Sequence, residues 1–216
     1  MCSSDLVVIA LASRNLPPRH RNKAIILGSA GAIVLRIVFC FFVATLMTVP
    51  YLKLVGSALL LWIGVKLLVP EEEHGDANGK EAPSHIWGAV RTIIIADAVM
   101  SLDNAIAIAA AAQNDYLLIA IGLLISIPLI VFGSQLILKI MGRFPVIITL
   151  GAALIGWIAG DVGITDVVVH PYVEGYGDWV HYAAKIAGAA FVVMLGKMLA
   201  ARAEKHRKPA LDLEGN

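Results

Sequence analysis

The chain has 216 residues, 59% hydrophobic and 15% charged, with a formal net charge of +1 at pH 7. Its mean hydropathy of +0.81 excludes an ordinary water-soluble domain of this length. The balanced charge gives no footing for nucleic-acid binding, and the two cysteines, Cys2 and Cys40, give none for a disulfide framework or a thiolate metal site.

Residues 6–12 are apolar but too short to span a bilayer, so they read as the end of a helix whose first half is missing. Residues 1–12 carry no basic leader, and no cleavable signal peptide is expected. Residues 13–23 form a basic connection in which Pro17-Pro18 ends any preceding helix. Residues 24–48 make a full span, and Pro50 opens the next, 51–69. Residues 70–85 are charged, with Gly and Pro, and read as a solvated loop. The central span follows at 86–112. After the turn Gln113-Asn114-Asp115, residues 116–140 span back, and residues 146–161 span again behind Pro145. A polar and aromatic connection at 163–179 leads to the last span, 180–202. The charged tail, 203–216, is expected to be disordered. The fold class is therefore all-α: a polytopic membrane helix bundle of about seven transmembrane helices, the first of them truncated.

Basic residues set the orientation. Arg14, Arg19, Arg21 and Lys23 follow the partial helix. Lys66, Lys80 and Arg91 flank the third connection, Lys139 and Arg143 the fifth, and Lys197, Arg202, Lys205, Arg207 and Lys208 gather near the C-terminus. The alternate connections hold almost none. This positive-inside pattern places the C-terminus in the cytoplasm.

The sequence also repeats. Pro50, Gly56, Trp62 and Ile63 recur as Pro145, Gly151, Trp157 and Ile158, shifted by 95 positions. Val7-Val8-Ile9-Ala10 aligns with Ile106-Ala107-Ile108-Ala109, which sets Asp5 opposite Asn104. Each unit, 1–69 and 86–162, holds three spans, and an odd number puts the two in opposite orientations. Such inverted repeats are common in secondary transporters, with the site at the midplane.

Polar groups inside the spans are the candidate site, since intramembrane ionisable residues are functional by default. The central span carries Asp97, Ser101, Asp103 and Asn104. Asp97, Ser101 and Asn104 share a helix face with Met100 close by, while Asp103 projects about 120° from Asp97 on a regular helix. Arg36 lies at the centre of its span, and its expected partner is Asp97 or Asp103. Pro128 deprives the Leu124 carbonyl of its helical donor, and the expected helix break offers a backbone oxygen. The donors are all oxygen apart from Met100, which suits Mg²⁺, Ca²⁺ or Mn²⁺. In the outer connection His170, Glu174, Asp178 and His181 are spaced to share a helical face, though Tyr172, Tyr176, Trp179 and Tyr182 there read as an interfacial aromatic belt.

At these residues the chain resembles the TerC family, and within it the YjbE-type branch of small bacterial members. The resemblance rests on Ala96-Asp97-Ala98-Val99-Met100-Ser101-Leu102-Asp103-Asn104-Ala105, on Arg14-Asn15-Leu16-Pro17-Pro18, on Ser126-Ile127-Pro128 and on the paired Pro/Gly/Trp pattern. It covers residues 7–199. It implies a seven-helix membrane protein connected with metal-ion transport and homeostasis, chiefly of Mn²⁺, in a family also linked to tellurium resistance and more distantly to LysE-type exporters. The family carries an Asp-Asn pair in both repeats. Here the first copy reads Ser3-Ser4-Asp5-Leu6, with Asp5 in the Asn register.

The reading that results is a divalent-cation transporter of the bacterial cytoplasmic membrane, exporting Mn²⁺. Asp97, Asp103, Asn104, Ser101 and Asp5 are its expected metal-site residues, Arg36 its counter-charge and Pro128 its helix break. The alternatives are a membrane scaffold of a tellurium-type resistance complex and a LysE-like exporter of small solutes. No tightly bound cofactor is expected; the partners are the transported ion and the bilayer, with a homo-oligomer left open. No nucleophile–base constellation, phosphate loop or cofactor motif suggests an enzyme.

Overall fold

The computed structural model describes residues 2–46, 48–69, 82–111, 116–177 and 179–211. Within them the chain forms α1 (Cys2–Ser13), α2 (Pro18–Leu46), α3 (Leu52–Leu68), α4 (Ala82–Ala111), α5 (Tyr116–Arg143), α6 (Val146–Ile164), the short α7 (His170–Val173), a 3₁₀ turn (Glu174–Tyr176) and α8 (Trp179–Leu211). No strand is present among the described residues. The segments His20–Phe39, Val146–Ile164 and Trp179–Ala203 are long and apolar enough to cross a membrane.

The helix limits follow from local chemistry. Pro18 starts α2, where a missing N–H costs nothing. Ser13, at the end of α1, folds its hydroxyl back onto the Ile9 carbonyl at 2.7 Å. Pro145 precedes α6. The tail differs from expectation: α8 continues to Leu211, so residues 203–211 prolong the last helix. This stretch is mostly basic, with Lys205, Arg207 and Lys208 after Glu204, as suits a helix that continues beyond the apolar part into water. The loop expected at 70–85 lies outside the described residues up to 81, and α4 begins at Ala82.

The core joins α1, α3, α4, α5 and α6, with Met141 of α5 among its buried residues. Val8 and Leu11 of α1, Leu60 and Ile63 of α3, Val99 of α4 and Ile155 of α6 are buried together. The outward faces are apolar as well: Val34, Phe132, Leu150 and Met194 are all exposed. A bundle that is apolar inside and out is built for lipid.

Packing between α6 and α8 is backbone to backbone. A Cβ on Gly160 would lie 2.2 Å from the Ala184 carbonyl oxygen, and one on Gly188 equally close to the Gly156 oxygen. Small residues four apart permit this approach, in which dispersion does the work that the hydrophobic effect cannot do in lipid. Elsewhere α2 packs on α4, α5 on α1, α3 on both α4 and α6, and α6 on α1.

The N-terminal end of α3 is closed by a distant residue. Tyr51, just before α3, has φ 63°, a left-handed conformation that costs a non-glycine residue about 1–2 kcal/mol. No side chain of its own segment caps α3. Instead the fully buried Asp166, which follows α6, accepts the backbone N–H groups of Tyr51, Lys53 and Leu54 at 3.1–3.2 Å, and that of Val168 at 2.9 Å. Burial alone would raise the Asp166 pKa, but these four N–H donors outweigh it and hold the carboxyl below its ordinary range.

Candidate functional site

Three helices place four polar side chains at one point in the apolar bundle. Arg36, midway along α2, is buried. Its Nη2 donates to Oδ2 of Asp5 on α1 at 3.1 Å and to Oδ1 of Asp97 on α4. Its Nε donates to the Ser101 hydroxyl at 3.1 Å. That hydroxyl in turn donates to Asp97 Oδ2 at 3.1 Å, across one turn of α4. Asp5, Asp97 and Ser101 are likewise buried. The guanidinium thus serves as a fork between two carboxylates and a hydroxyl, the use for which Arg rather than Lys is suited.

The constellation is not closed. With both carboxylates ionised it carries one negative charge in excess. Among the described residues, buried Asp5 Oδ1 has no hydrogen-bond partner, and neither has the buried Ser29 hydroxyl of α2. Both atoms' residues line one small cavity with Arg36, Asp97 and Met100. Its volume, about 10 Å³, is on the order of the least space that admits a water-sized guest. Buried polar atoms without partners are uncommon in folded proteins and cost about 1–3 kcal/mol each. Here the two residues that carry them line the same cavity.

The model of the integral membrane protein TerC family matches residues 3–204. The chain belongs to the TerC family. It is 36% identical over 190 residues to the membrane protein YjbE of Bacillus subtilis, covering 88% of this chain and 85% of YjbE. YkoY of the same organism is 24% identical, over 73% of this chain and 54% of YkoY. The UPF0053 protein YegH of Escherichia coli K12 is 26% identical, over 68% of this chain. This TerC chain spans about half of YkoY and, at 31%, under a third of YegH. No solved structure matches the chain.

Of the residues singled out in this TerC sequence, the fold unites Asp5, Arg36, Asp97 and Ser101. Arg36 was expected to meet Asp97 or Asp103; it meets Asp97 and, from α1, Asp5. Asp103 and Asn104 belong to α4, and their side chains lie outside the described ones. Pro128 stands apart from the cluster. α5 runs through it without a break, and Pro128 is exposed on the bundle exterior, so the expected interruption is not found there. Among the described residues no three His, Cys, Asp or Glu side chains converge in a metal-holding group.

His170, Glu174 and His181 of the 163–179 connection and its edge do not share one helical face. Gly177, with φ 77°, separates the 3₁₀ turn from α8. His170 then pairs with Glu174 at 3.8 Å, while His181 and Lys185 both reach Asp161 of α6, at 3.7 and 3.1 Å. Asp178 lies outside the described residues. Two residues escaped the sequence reading. Ser29 sits in a Gly-Ser-Ala-Gly run and Asp166 in the connection after α6, and no sequence pattern sets either apart.

Proposed function

We propose that this TerC protein carries a divalent metal ion across the bacterial cytoplasmic membrane, as an exporter of Mn²⁺, by alternating access between two inverted three-helix units. The observation that carries the reading is Arg36 held between Asp5 and Asp97 in the bundle interior. A guanidinium between two carboxylates occupies the place a cation would take. If Arg36 withdraws, the Asp5 and Asp97 oxygens and the Ser101 hydroxyl face the incoming ion. Hard oxygen donors suit Mg²⁺, Ca²⁺ and Mn²⁺. The buried Met100 on the cavity wall adds one softer atom, which tilts the choice toward Mn²⁺. Asp103 and Asn104, further along α4, are the next candidates on the ion's path.

The packing supports two related units. The second helix of each unit packs on the first helix of the other, α2 on α4 and α5 on α1. The third helices repeat this, α3 on α4 and α6 on α1, and then meet each other. The repeated glycines take part: Gly56 of α3 lies against Val99 of α4, and Gly151 of α6 against Val7 of α1. A two-fold relation between 1–69 and 86–162 generates such reciprocity, with the α1–α4 contact and its polar cluster near the axis. The basic connections orient the C-terminus to the cytoplasm.

The test is metal flux in proteoliposomes, comparing Mn²⁺, Mg²⁺ and Ca²⁺ for the wild type and Asp97→Asn. Mn²⁺ flux that disappears in a folded Asp97→Asn variant supports the proposal. A folded, inserted wild type that moves none of the three ions overturns it, and leaves the scaffold role.

A further inference from the structure

One end of the bundle holds a second cavity, unrelated to the Arg36 cluster. It has a volume of about 620 Å³ and is open to the outside. Arg14 after α1, Arg21 of α2 and Lys197 of α8 line it, so three separate elements bring a cation to one space. No Asp or Glu is among the described residues that line it. Its remaining wall is largely apolar, with Leu68 of α3 and Leu138 and Met141 of α5, and also includes Asn15 and Thr149. The basic rim is held in place: Arg21 Nη2 donates to the carbonyls of Arg14 and Leu16 at 3.2 and 3.1 Å. Its Nε is buried without a hydrogen-bond partner.

Positive residues at the cytoplasmic boundary are ordinary in membrane proteins. Scattered flanking charges, however, do not converge from three elements on one cavity with an apolar wall. Charge complementarity calls for an anion, and the apolar wall calls for an attached hydrocarbon chain. A free phosphate satisfies the first and leaves the second in water; the headgroup and upper acyl chain of an anionic phospholipid satisfy both. Basic pockets between helices at the cytoplasmic side are suited to such headgroups.

We propose that the cavity bounded by Arg14, Arg21 and Lys197 binds an anionic phospholipid, its phosphate on the basic rim and its acyl chain against Leu68, Leu138 and Met141. The site does not depend on the transport reading. Its test uses the full chain in phosphatidylcholine nanodiscs titrated with phosphatidylglycerol, with bound lipid counted by native mass spectrometry. Each basic residue near a charged headgroup is worth about 1 kcal/mol, or roughly fivefold in affinity. Lys197→Gln is therefore expected to weaken phosphatidylglycerol binding about fivefold, with Lys197→Arg restoring it. Arg91→Gln removes an equal charge from an exposed position outside the cavity and is expected to leave binding unchanged. Equal losses in both Gln variants, or in neither, overturn the site in favour of general surface attraction. Displacement of phosphatidylglycerol by inorganic phosphate at matched concentration also overturns it, because the headgroup alone would then be the ligand.

Discussion

Arg36 of α2 and Asp97 of α4 are joined twice, once directly through Nη2 and Oδ1 and once through the Ser101 hydroxyl. The relay makes the pair resistant to the loss of one contact and sensitive to the loss of the guanidinium. Removing one partner of a buried ion pair strands the other and costs about 3–5 kcal/mol. Arg36→Met strands both Asp5 and Asp97, so its unfolding in detergent is expected to shift by at least that much. Asp97→Asn leaves Arg36 with Asp5 and is expected to cost less. The double variant, Arg36→Met with Asp97→Asn, should regain part of the loss. Strictly additive losses in that cycle would refute the coupling.

Ser29 offers a way to part structure from transport. Its buried hydroxyl has no partner among the described residues, so Ser29→Ala removes a desolvated group and no hydrogen bond described there. Stability is expected to stay within about 1 kcal/mol of wild type or to rise. If the cavity beside Asp5 receives the ion during transport, Mn²⁺ flux falls in the same variant. A marked drop in thermal stability would show instead that Ser29 holds the fold.

The bundle was legible where a single helix carries the information. Long apolar runs marked the helices, three of which are long and apolar enough among the described residues to cross a membrane, and the four-residue step from Asp97 to Ser101 fixed their shared face. Arg36 was visible as a charge out of place. Its second partner was not, because the meeting of Asp5 with Arg36 depends on how α1 lies against α2 and α4, and periodicity along one helix holds no record of a crossing. Asp166 was hidden for the same reason: the N–H groups that it accepts on α3 lie more than 110 positions earlier in the chain. Pro128 misled in the other direction. A proline in a membrane helix signals a kink or a freed carbonyl, yet α5 continues through it on an exposed face. A missing N–H in one turn does not by itself undo a helix held by its neighbours.

Asp166 predicts a pH dependence of known sign. Its folded-state carboxyl lies below its ordinary value because four backbone N–H groups favour the anion. A depressed carboxyl contributes stability that is fully present above the unfolded-state value and is lost as pH falls through the folded-state value. Asp166→Ala is expected to cost about 1–2 kcal/mol at pH 7, as losing a cap does. The difference between wild type and variant should shrink only in acid below the ordinary carboxylate range. A difference that instead narrows between pH 6 and 8 would show that another group is responsible.

Gly160 tests the tightest contact in the bundle. A Cβ there meets the Ala184 carbonyl oxygen at 2.2 Å and its carbon at 2.7 Å, and backbone cannot step aside as a side-chain tip can. Gly160→Ala must therefore push α8 away from α6, and overpacking of this kind costs about 1–3 kcal/mol, occasionally more. Gly122 of α5 supplies the contrast, since a Cβ there meets nothing among the described residues within 4 Å. Gly122→Ala should be neutral or slightly stabilising, because alanine is the better helix former by up to about 1 kcal/mol. Thermal unfolding of the two variants under identical detergent conditions checks both. A Gly160→Ala protein as stable as Gly122→Ala would mean that α6 and α8 are not in backbone contact, and the α6–α8 packing described above would have to be redrawn.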